Sequence, residues 1–133
     1  MPKSSKLTPV EWEIMEAIWG IGGSPTVRDV LEHAFPQGEK AYTTVQTIMN
    51  TLEKKKLLTR KKTGLVNFYK PTRTRDALAR AEMSSLVSQV FGGSIPALAN
   101  SLLSLDGLGL EEIKKIKALI SEREKKLKAD DHD

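Results

Sequence analysis

Four short, uncharged polar side chains recur in one stretch of the chain at the spacing of a helix face. They lie three or four residues apart, which places them on one side of a helix: Thr43, Gln46, Thr47 and Asn50. Glutamine and asparagine amides can form two hydrogen bonds with adenine, and threonine offers a hydroxyl group and a methyl group that can contact thymine. The row therefore indicates recognition of base edges in a DNA major groove.

A run of cations follows this row, and no acid interrupts it: Lys54, Lys55, Lys56, Arg60, Lys61 and Lys62. Cations that contact phosphate bind any duplex and set affinity, whereas base contacts set specificity. Five of them are predicted to contact the DNA backbone: Lys54, Lys55, Arg60, Lys61 and Lys62. Each observation alone has an ordinary alternative, because polar helix faces are usually solvated and lysines after a helix complement its dipole. Their conjunction indicates DNA binding.

Three helical segments position the row. The first begins with a capping box, in which Thr8 is the cap and Glu11 completes the box. The second begins after Thr26, with Asp29 in the favourable first turn. The third runs from about Thr43 to Lys55, and its apolar residues recur at helical spacing and define its buried side: Val45, Ile48, Met49 and Leu52.

The segment after the third helix changes to a two-residue period. Leu58 to Lys62 and Leu65 to Lys70 predict two strands joined by a tight turn at Thr63-Gly64, because glycine supplies the positive φ that such a turn requires. Three helices followed by a basic hairpin are the element order of a winged helix-turn-helix. We therefore expect a mainly α fold with a small β-hairpin wing, and a DNA-binding domain over residues 1–72.

The second half of the chain is purely helical, with three segments over residues 73–128 before a flexible tail at 129–133. Their apolar positions recur at helical spacing: Met83, Leu86, Val90, Leu98, Leu102, Ile113, Ile116 and Ile120. These helices make a thin core for a free-standing unit, and a second copy would cover them by two-fold pairing. We expect a homodimerisation domain. The alternative is a self-contained bundle packed on the N-terminal lobe of its own chain.

Charge is divided unevenly along the chain. Residues 1–73 carry 12 Lys and Arg against 7 Asp and Glu, whereas residues 74–133 carry 9 against 10. This asymmetry favours a polyanion-binding lobe joined to a lobe with another task. No signal segment or apolar run of membrane-spanning length is present, so a cytoplasmic location is expected.

Catalytic and metal sites are not expected. The chain has no cysteine, and its two histidines, His33 and His132, are far apart in sequence. There is no phosphate loop, nucleophile elbow or zinc-ligand spacing. Glu11, Glu13 and Glu16 are interpreted as solubilising residues on an exposed helix face. The sequence therefore predicts a protein that is not an enzyme and that uses no cofactor or small-molecule substrate.

Four segments carry a resemblance to a known family: LTPVEWEIMEAIW, TVRDV, AYTTVQTIMNTLEKKKLL and NFYKP. They are similar to the penicillinase repressor family, the winged-helix repressors of BlaI, MecI and CopY type. The resemblance is dense over residues 7–71 and looser through about residue 127. It implies a homodimeric repressor on a pseudo-palindromic operator that overlaps a promoter. At matching positions it implies contacts to phosphate or the minor groove by Lys61 and Lys62, and base contacts by Thr43, Thr44, Gln46 and Thr47.

The resemblance also bears on induction. In the beta-lactam branch, a membrane-bound sensor metalloprotease acts upstream of cleavage in the dimerisation segment, after an asparagine that precedes phenylalanine. Asn100 and Ser101 are the corresponding residues here, so serine stands where that branch has phenylalanine. In the copper branch a cysteine-rich C-terminal motif binds metal, a mode of sensing that a chain without cysteine cannot use.

The favoured hypothesis is a dimeric transcriptional repressor that is released by a signal that destabilises the dimer. The alternative is a winged-helix protein-interaction adaptor without sequence-specific DNA binding. An adaptor surface needs aromatic or leucine anchors, and the outward row of the third helix contains none.

Overall fold

The computed structural model describes residues 7–131. This part of the chain forms two compact units, the first ending at Ser84 and the second beginning at Ser85. The helices and strands follow in this order: α1 (Pro9–Ile21), α2 (Val27–Ala34), α3 (Tyr42–Lys54), β1 (Leu58–Thr63), β2 (Val66–Pro71), α4 (Arg75–Val90), α5 (Ile95–Leu103) and α6 (Leu110–Asp131). The order of the first five elements confirms the predicted winged helix.

Helices α1 and α2 both begin with complete capping boxes, which confirms the predicted box at α1 and the predicted cap Thr26 at α2. The Thr8 hydroxyl accepts a hydrogen bond from the Glu11 backbone N–H at 3.1 Å, and the Glu11 carboxylate accepts one from the Thr8 backbone N–H at 2.9 Å. Thr26 and Asp29 form the same reciprocal pair at the start of α2. These side chains satisfy backbone N–H groups that have no partner inside the helix.

The core of the first unit lies between α1, α2, α3 and the hairpin. Val45, Met49 and Leu52 are fully buried, and Ile48 is half-buried, which confirms the predicted inner side of α3. The buried apolar side chains come from every element of this unit: Ile14, Met15, Ala17, Ile18, Val27, Val30, Phe35, Val45, Met49, Leu52, Leu57, Leu58, Tyr69 and Leu78.

The junction between α3 and β1 is a tight, hydrogen-bonded corner. Lys56 has a φ of 68°, in the left-handed region. The Lys56 N–H donates to the carbonyl of Glu53 at 2.9 Å, and the Leu57 N–H donates to that of Leu52 at 3.0 Å. This is the hydrogen-bond pattern of a Schellman helix end. It fixes the direction in which the chain leaves α3 and enters the hairpin.

The turn of the hairpin lies one residue later than predicted. Thr63 pairs with Val66, so the loop is Gly64-Leu65, and the prediction of a turn at Thr63-Gly64 is wrong. Gly64 has a φ of 65° and takes the first central position, where a type II′ turn places glycine. The backbone N–H of Tyr69 also donates to the carbonyl of Pro25 at 2.9 Å, which attaches the hairpin to the loop before α2.

The first compact unit extends beyond residue 72, where the sequence analysis ends the DNA-binding domain. Leu78 on α4 is buried in the core of this unit. The indole N–H of Trp19 donates to the carbonyl of Arg73 at 2.9 Å, and the Arg75 side chain bonds Glu16 at 2.8 Å. The first turns of α4 therefore belong to the compact unit because α1 holds them.

The second unit contains the remainder of α4 together with α5 and α6. None of its described side chains is buried. Helix α6 continues to Asp131 and so includes residues 129–131 of the predicted tail; the rest of the predicted tail, including His132, lies outside the described residues. No single described helix is long and apolar enough to cross a membrane, whereas α4 and α5 meet that criterion only as a pair bent by 95°.

Glu11 is buried, which overturns its interpretation as an exposed solubilising residue. Its side chain is 8% exposed, and its Oε1 atom lies 2.7 Å from Nζ of Lys55. Glu16 is also engaged, since it pairs with Arg75. Glu13 is exposed, as expected. Both contacts join α1 to distant segments, Glu11 to α3 and Glu16 to α4, which spacing within α1 cannot show.

Candidate nucleic-acid interface

The outward face of α3 presents the predicted base-reading row. Thr43, Thr44 and Thr47 are exposed, and Gln46 is half-buried. They occupy the first two turns of α3 and therefore present hydroxyl, methyl and amide groups from one end of one helix. A major groove admits a helix, and these are groups that can contact base edges there.

Asn50, the fifth predicted reader, is tied to the hairpin. It is half-buried, and its Oδ1 accepts a hydrogen bond from the Tyr69 hydroxyl at 2.8 Å. Tyr69 itself is fully buried. No sequence signal predicts this bond, because a residue on α3 and a residue on β2 become neighbours only when the hairpin folds back. Asn50 therefore differs from the threonines in having one of its polar atoms already engaged.

The predicted phosphate-binding cations fall into two groups. Lys55 is half-buried and pairs with Glu11, and Arg60 pairs with Glu53 at 3.5 Å. In contrast, three exposed lysines have no acidic group within ion-pair distance among the described residues: Lys54, Lys61 and Lys62. The second group carries positive charge that no ion pair within the described chain offsets.

Tyr69 is the centre of a polar cluster between α3 and the hairpin. Arg60 faces Tyr69 across the two strands. Burial raises the pKa of the Tyr69 phenol above its ordinary value of 10.0, while the neighbouring Arg60 guanidinium opposes that rise. The cluster thus runs from Glu53 through Arg60 and Tyr69 to Asn50.

This pKa can be tested by titration of a Tyr42→Phe variant, in which Tyr69 is the remaining tyrosine. We expect its phenolate absorbance to rise with a midpoint above pH 10.0 in the folded protein and near the ordinary tyrosine value in urea. The unfolded chain then loses this proton first, so the contribution of Tyr69 to stability is complete below pH 10 and declines as the pH rises above it. Equal midpoints in buffer and urea would contradict the assignment.

A cleft of about 390 Å³ opens between the start of α2, the start of α3 and the tip of the hairpin. The Arg28 guanidinium lies over the Tyr42 ring, 5.1 Å from its centroid. Gln46 lines the same cleft, and Leu65 at the hairpin tip is 93% exposed. Sequence reasoning missed Arg28 because it stands alone on α2. The cleft shows that α2 and the hairpin tip flank the base-reading row.

The model of the penicillinase repressor family matches residues 7–122 of the 133-residue chain. This match spans α1 to β2, with the polar row and the unpaired lysines, and most of the helical segment that follows. The chain belongs to the penicillinase repressor family.

Two named relatives and one solved structure are similar to most of the chain. The penicillinase repressor of Staphylococcus aureus is 22% identical over 93% of this chain and 98% of its own length. The regulator BlaI of Mycobacterium tuberculosis is 32% identical over 67% of this chain and 64% of that protein. A structure of Bordetella bronchiseptica BpsR aligns with a TM-score of 0.46 and 21% identity, covering 91% of this chain and 77% of that one.

The residues that the sequence assigns to dimerisation lie on α4, α5 and α6 of this penicillinase repressor family member. Four of them are exposed, namely Met83, Val90, Leu102 and Ile120, and four are half-buried, namely Leu86, Leu98, Ile113 and Ile116. Asn100 and Ser101, the residues assigned to cleavage, are exposed in the second half of α5.

Proposed function

We propose that this protein is a transcriptional repressor that binds a pseudo-palindromic operator as a homodimer and blocks the promoter. The observation that carries this proposal is the pairing of two features in one unit. An uncharged polar row occupies the outward face of α3, and lysines with no ion-pair partner in the described chain stand beside it on α3 and β1. Neutral groups that read bases need neighbouring cations that hold the phosphates.

Base reading falls to the start of α3. Thr43, Thr44, Gln46 and Thr47 enter the major groove, where recognition helices of helix-turn-helix proteins present their N-terminal residues to base edges. Lys54, Lys61 and Lys62 contact phosphates on either side. Lys55 and Arg60, placed with the phosphate contacts by the sequence, serve mainly to fasten α3 and the hairpin through Glu11 and Glu53.

Homodimerisation is supported by the apolar surface of the second unit. On α6, Ile116, Leu119, Ile120 and Leu127 surround an open concavity of about 470 Å³, and Leu119 and Ile120 are 70% and 61% exposed. Contiguous exposed apolar surface is typical of protein interfaces. A second copy offers the same surface, so an isologous pair buries both. Its two α3 helices then occupy successive major grooves about 34 Å apart.

Release of the operator follows from loss of the dimer. A monomer holds one half-site and forfeits the gain in effective concentration that a linked second site provides. Proteolysis between Asn100 and Ser101 would part α6 from the rest of the chain, and both residues are exposed. A membrane-bound sensor metalloprotease acting upstream is the proposed source of that signal. This regulation needs no catalytic site in the repressor and places it with the chromosome in the cytoplasm.

Footprinting on the promoter of the protein's own gene tests this function. We expect protection of two half-sites related by a two-fold axis and one helical turn apart. Family membership favours this result over a protein-interaction adaptor. If the protein were an adaptor, the promoter would stay unprotected even at concentrations well above those at which the protein binds its protein partner.

The phosphate contacts can be tested through salt dependence. Changing Lys61 and Lys62 together to glutamine is expected to lower the slope of log K against log salt by about 1.8, since each phosphate contact contributes about 0.9. Affinity should fall alike for operator and unrelated duplexes. The control is Lys125→Gln with Lys126→Gln, which makes the same charge change at exposed positions on α6 and should leave the slope unaltered. An unchanged slope in the hairpin variant would remove the hairpin from the DNA backbone.

A further inference from the structure

The hydrogen-bonding capacity of Asn50 is set by its neighbours before any DNA is present. The Tyr69 hydroxyl has a single proton to donate. It donates that proton to Oδ1 of Asn50, 2.8 Å away. The Asn50 amide is therefore held with its acceptor atom turned toward Tyr69.

The other polar atom of the Asn50 amide is Nδ2. Within residues 7–131 it makes no hydrogen bond, and no side-chain nitrogen or oxygen buried from solvent lacks a partner. Nδ2 is consequently open to solvent. Asn50 thus presents its donor group to solvent on α3, one turn after Thr47, while its acceptor atom is turned toward Tyr69.

We infer that Tyr69 holds Asn50 as a donor-only reader, so that α3 favours guanine over adenine at the base that Asn50 contacts. Adenine is recognised by asparagine through two bonds, one of which needs Oδ1 to accept from the adenine amino group. That oxygen is turned toward Tyr69, so adenine is left with one bond, from Nδ2 to its N7. Guanine accepts from Nδ2 at both N7 and O6. This inference rests on the proposed operator binding and assigns Tyr69, which is buried, as the positioning residue.

The inference is tested by binding the full-length protein to a library of duplexes in which each base pair of one half-site is varied. Asn50→Asp keeps an acceptor for the Tyr69 hydroxyl but replaces the outward donor with an acceptor. We expect its preference at one base pair to invert, from guanine to cytosine or adenine, whose amino groups donate, by roughly tenfold. Ratios between duplexes are compared, because the added negative charge weakens binding to all of them.

Tyr69→Phe gives the complementary result. It removes the hydroxyl, keeps the buried ring and frees Oδ1, so the amide can form both bonds with adenine. We expect a gain in preference for adenine of roughly tenfold at the same base pair. Tyr42→Phe, which removes the other tyrosine hydroxyl from the same unit, should leave that base pair unaffected. A purely structural role for Tyr69 would lower stability without changing which base is selected.

The outcomes distinguish a failure of this inference from a failure of the proposed operator binding. If the unaltered protein binds no duplex from its own promoter in preference to others, the proposed operator binding fails. If it does bind selectively, and Thr47→Ala relaxes selection at its own base pair, the surface is the reading surface. An unchanged preference in Asn50→Asp under those conditions would overturn the donor-only assignment, whether or not Tyr69→Phe folds.

Discussion

Replacing Ile120 with aspartate is expected to convert the proposed dimer into a monomer and to weaken binding to a two-half-site operator by roughly 10²–10⁴-fold. The size follows from the lost gain in effective concentration when two linked sites become independent. Ile120 is 61% exposed in the protomer and borders the concavity on α6. An aspartate at this position removes little packing within one chain. In an interface between two chains, however, its charge loses its hydration, which costs free energy.

Sedimentation and operator titration measure the two effects. Ala118→Asp is the matched control, since it makes the same charge change at an exposed position on α6 that does not line the concavity. It should remain dimeric and bind normally. Both variants should bind a duplex with a single half-site equally well. A dimeric Ile120→Asp protein would show that the interface lies elsewhere.

Glu11→Ala is expected to lower the free energy of unfolding by about 2–3 kcal/mol. The Glu11 carboxylate accepts hydrogen bonds from the Thr8 backbone N–H and from the Lys55 ammonium group, and it is buried. Breaking such a pair by removing one partner typically costs 3–5 kcal/mol when both are buried, and the Thr8 N–H loses its acceptor as well. The value here is smaller because Lys55 is 26% exposed.

Urea unfolding followed by tryptophan fluorescence measures this loss, since both tryptophans, Trp12 and Trp19, lie on α1. Glu13→Ala is the control. It removes the same charge two residues away, at an exposed position, and surface substitutions of this kind usually change stability by less than about 0.5 kcal/mol. Equal losses of unfolding free energy in the two variants would mean that the Glu11–Lys55 pair contributes no more to stability than a surface charge does.

Local features of the fold followed from local sequence signals. The capping residues Thr8 and Thr26 were identified correctly because a side-chain oxygen and the backbone it bonds are three residues apart. The buried side of α3 was identified from the 3.6-residue period of Val45, Met49 and Leu52. The capping bonds lie within one helix, and the buried residues recur at the helical spacing. Both features can therefore be identified from a single sequence.

Contacts between distant segments could not be predicted in the same way. Lys55 meets Glu11 across 44 residues of sequence, and Asn50 meets Tyr69 across 19. Both pairs depend on how α1 and the hairpin pack on α3, which residue types and spacing do not specify. The turn was misplaced by one residue for a related reason, since Gly64 fits either central position and the register of the two strands decides between them.

The left-handed backbone at Lys56 carries a consequence for the hairpin as a whole. A residue with a side chain is strained there by roughly 1–2 kcal/mol relative to ordinary backbone, and glycine is the usual occupant of such a helix end. The protein instead has a lysine at φ 68°, held by hydrogen bonds on both sides of the corner. The hairpin is thus joined to α3 by a rigid, positively charged corner of fixed angle rather than by a flexible hinge.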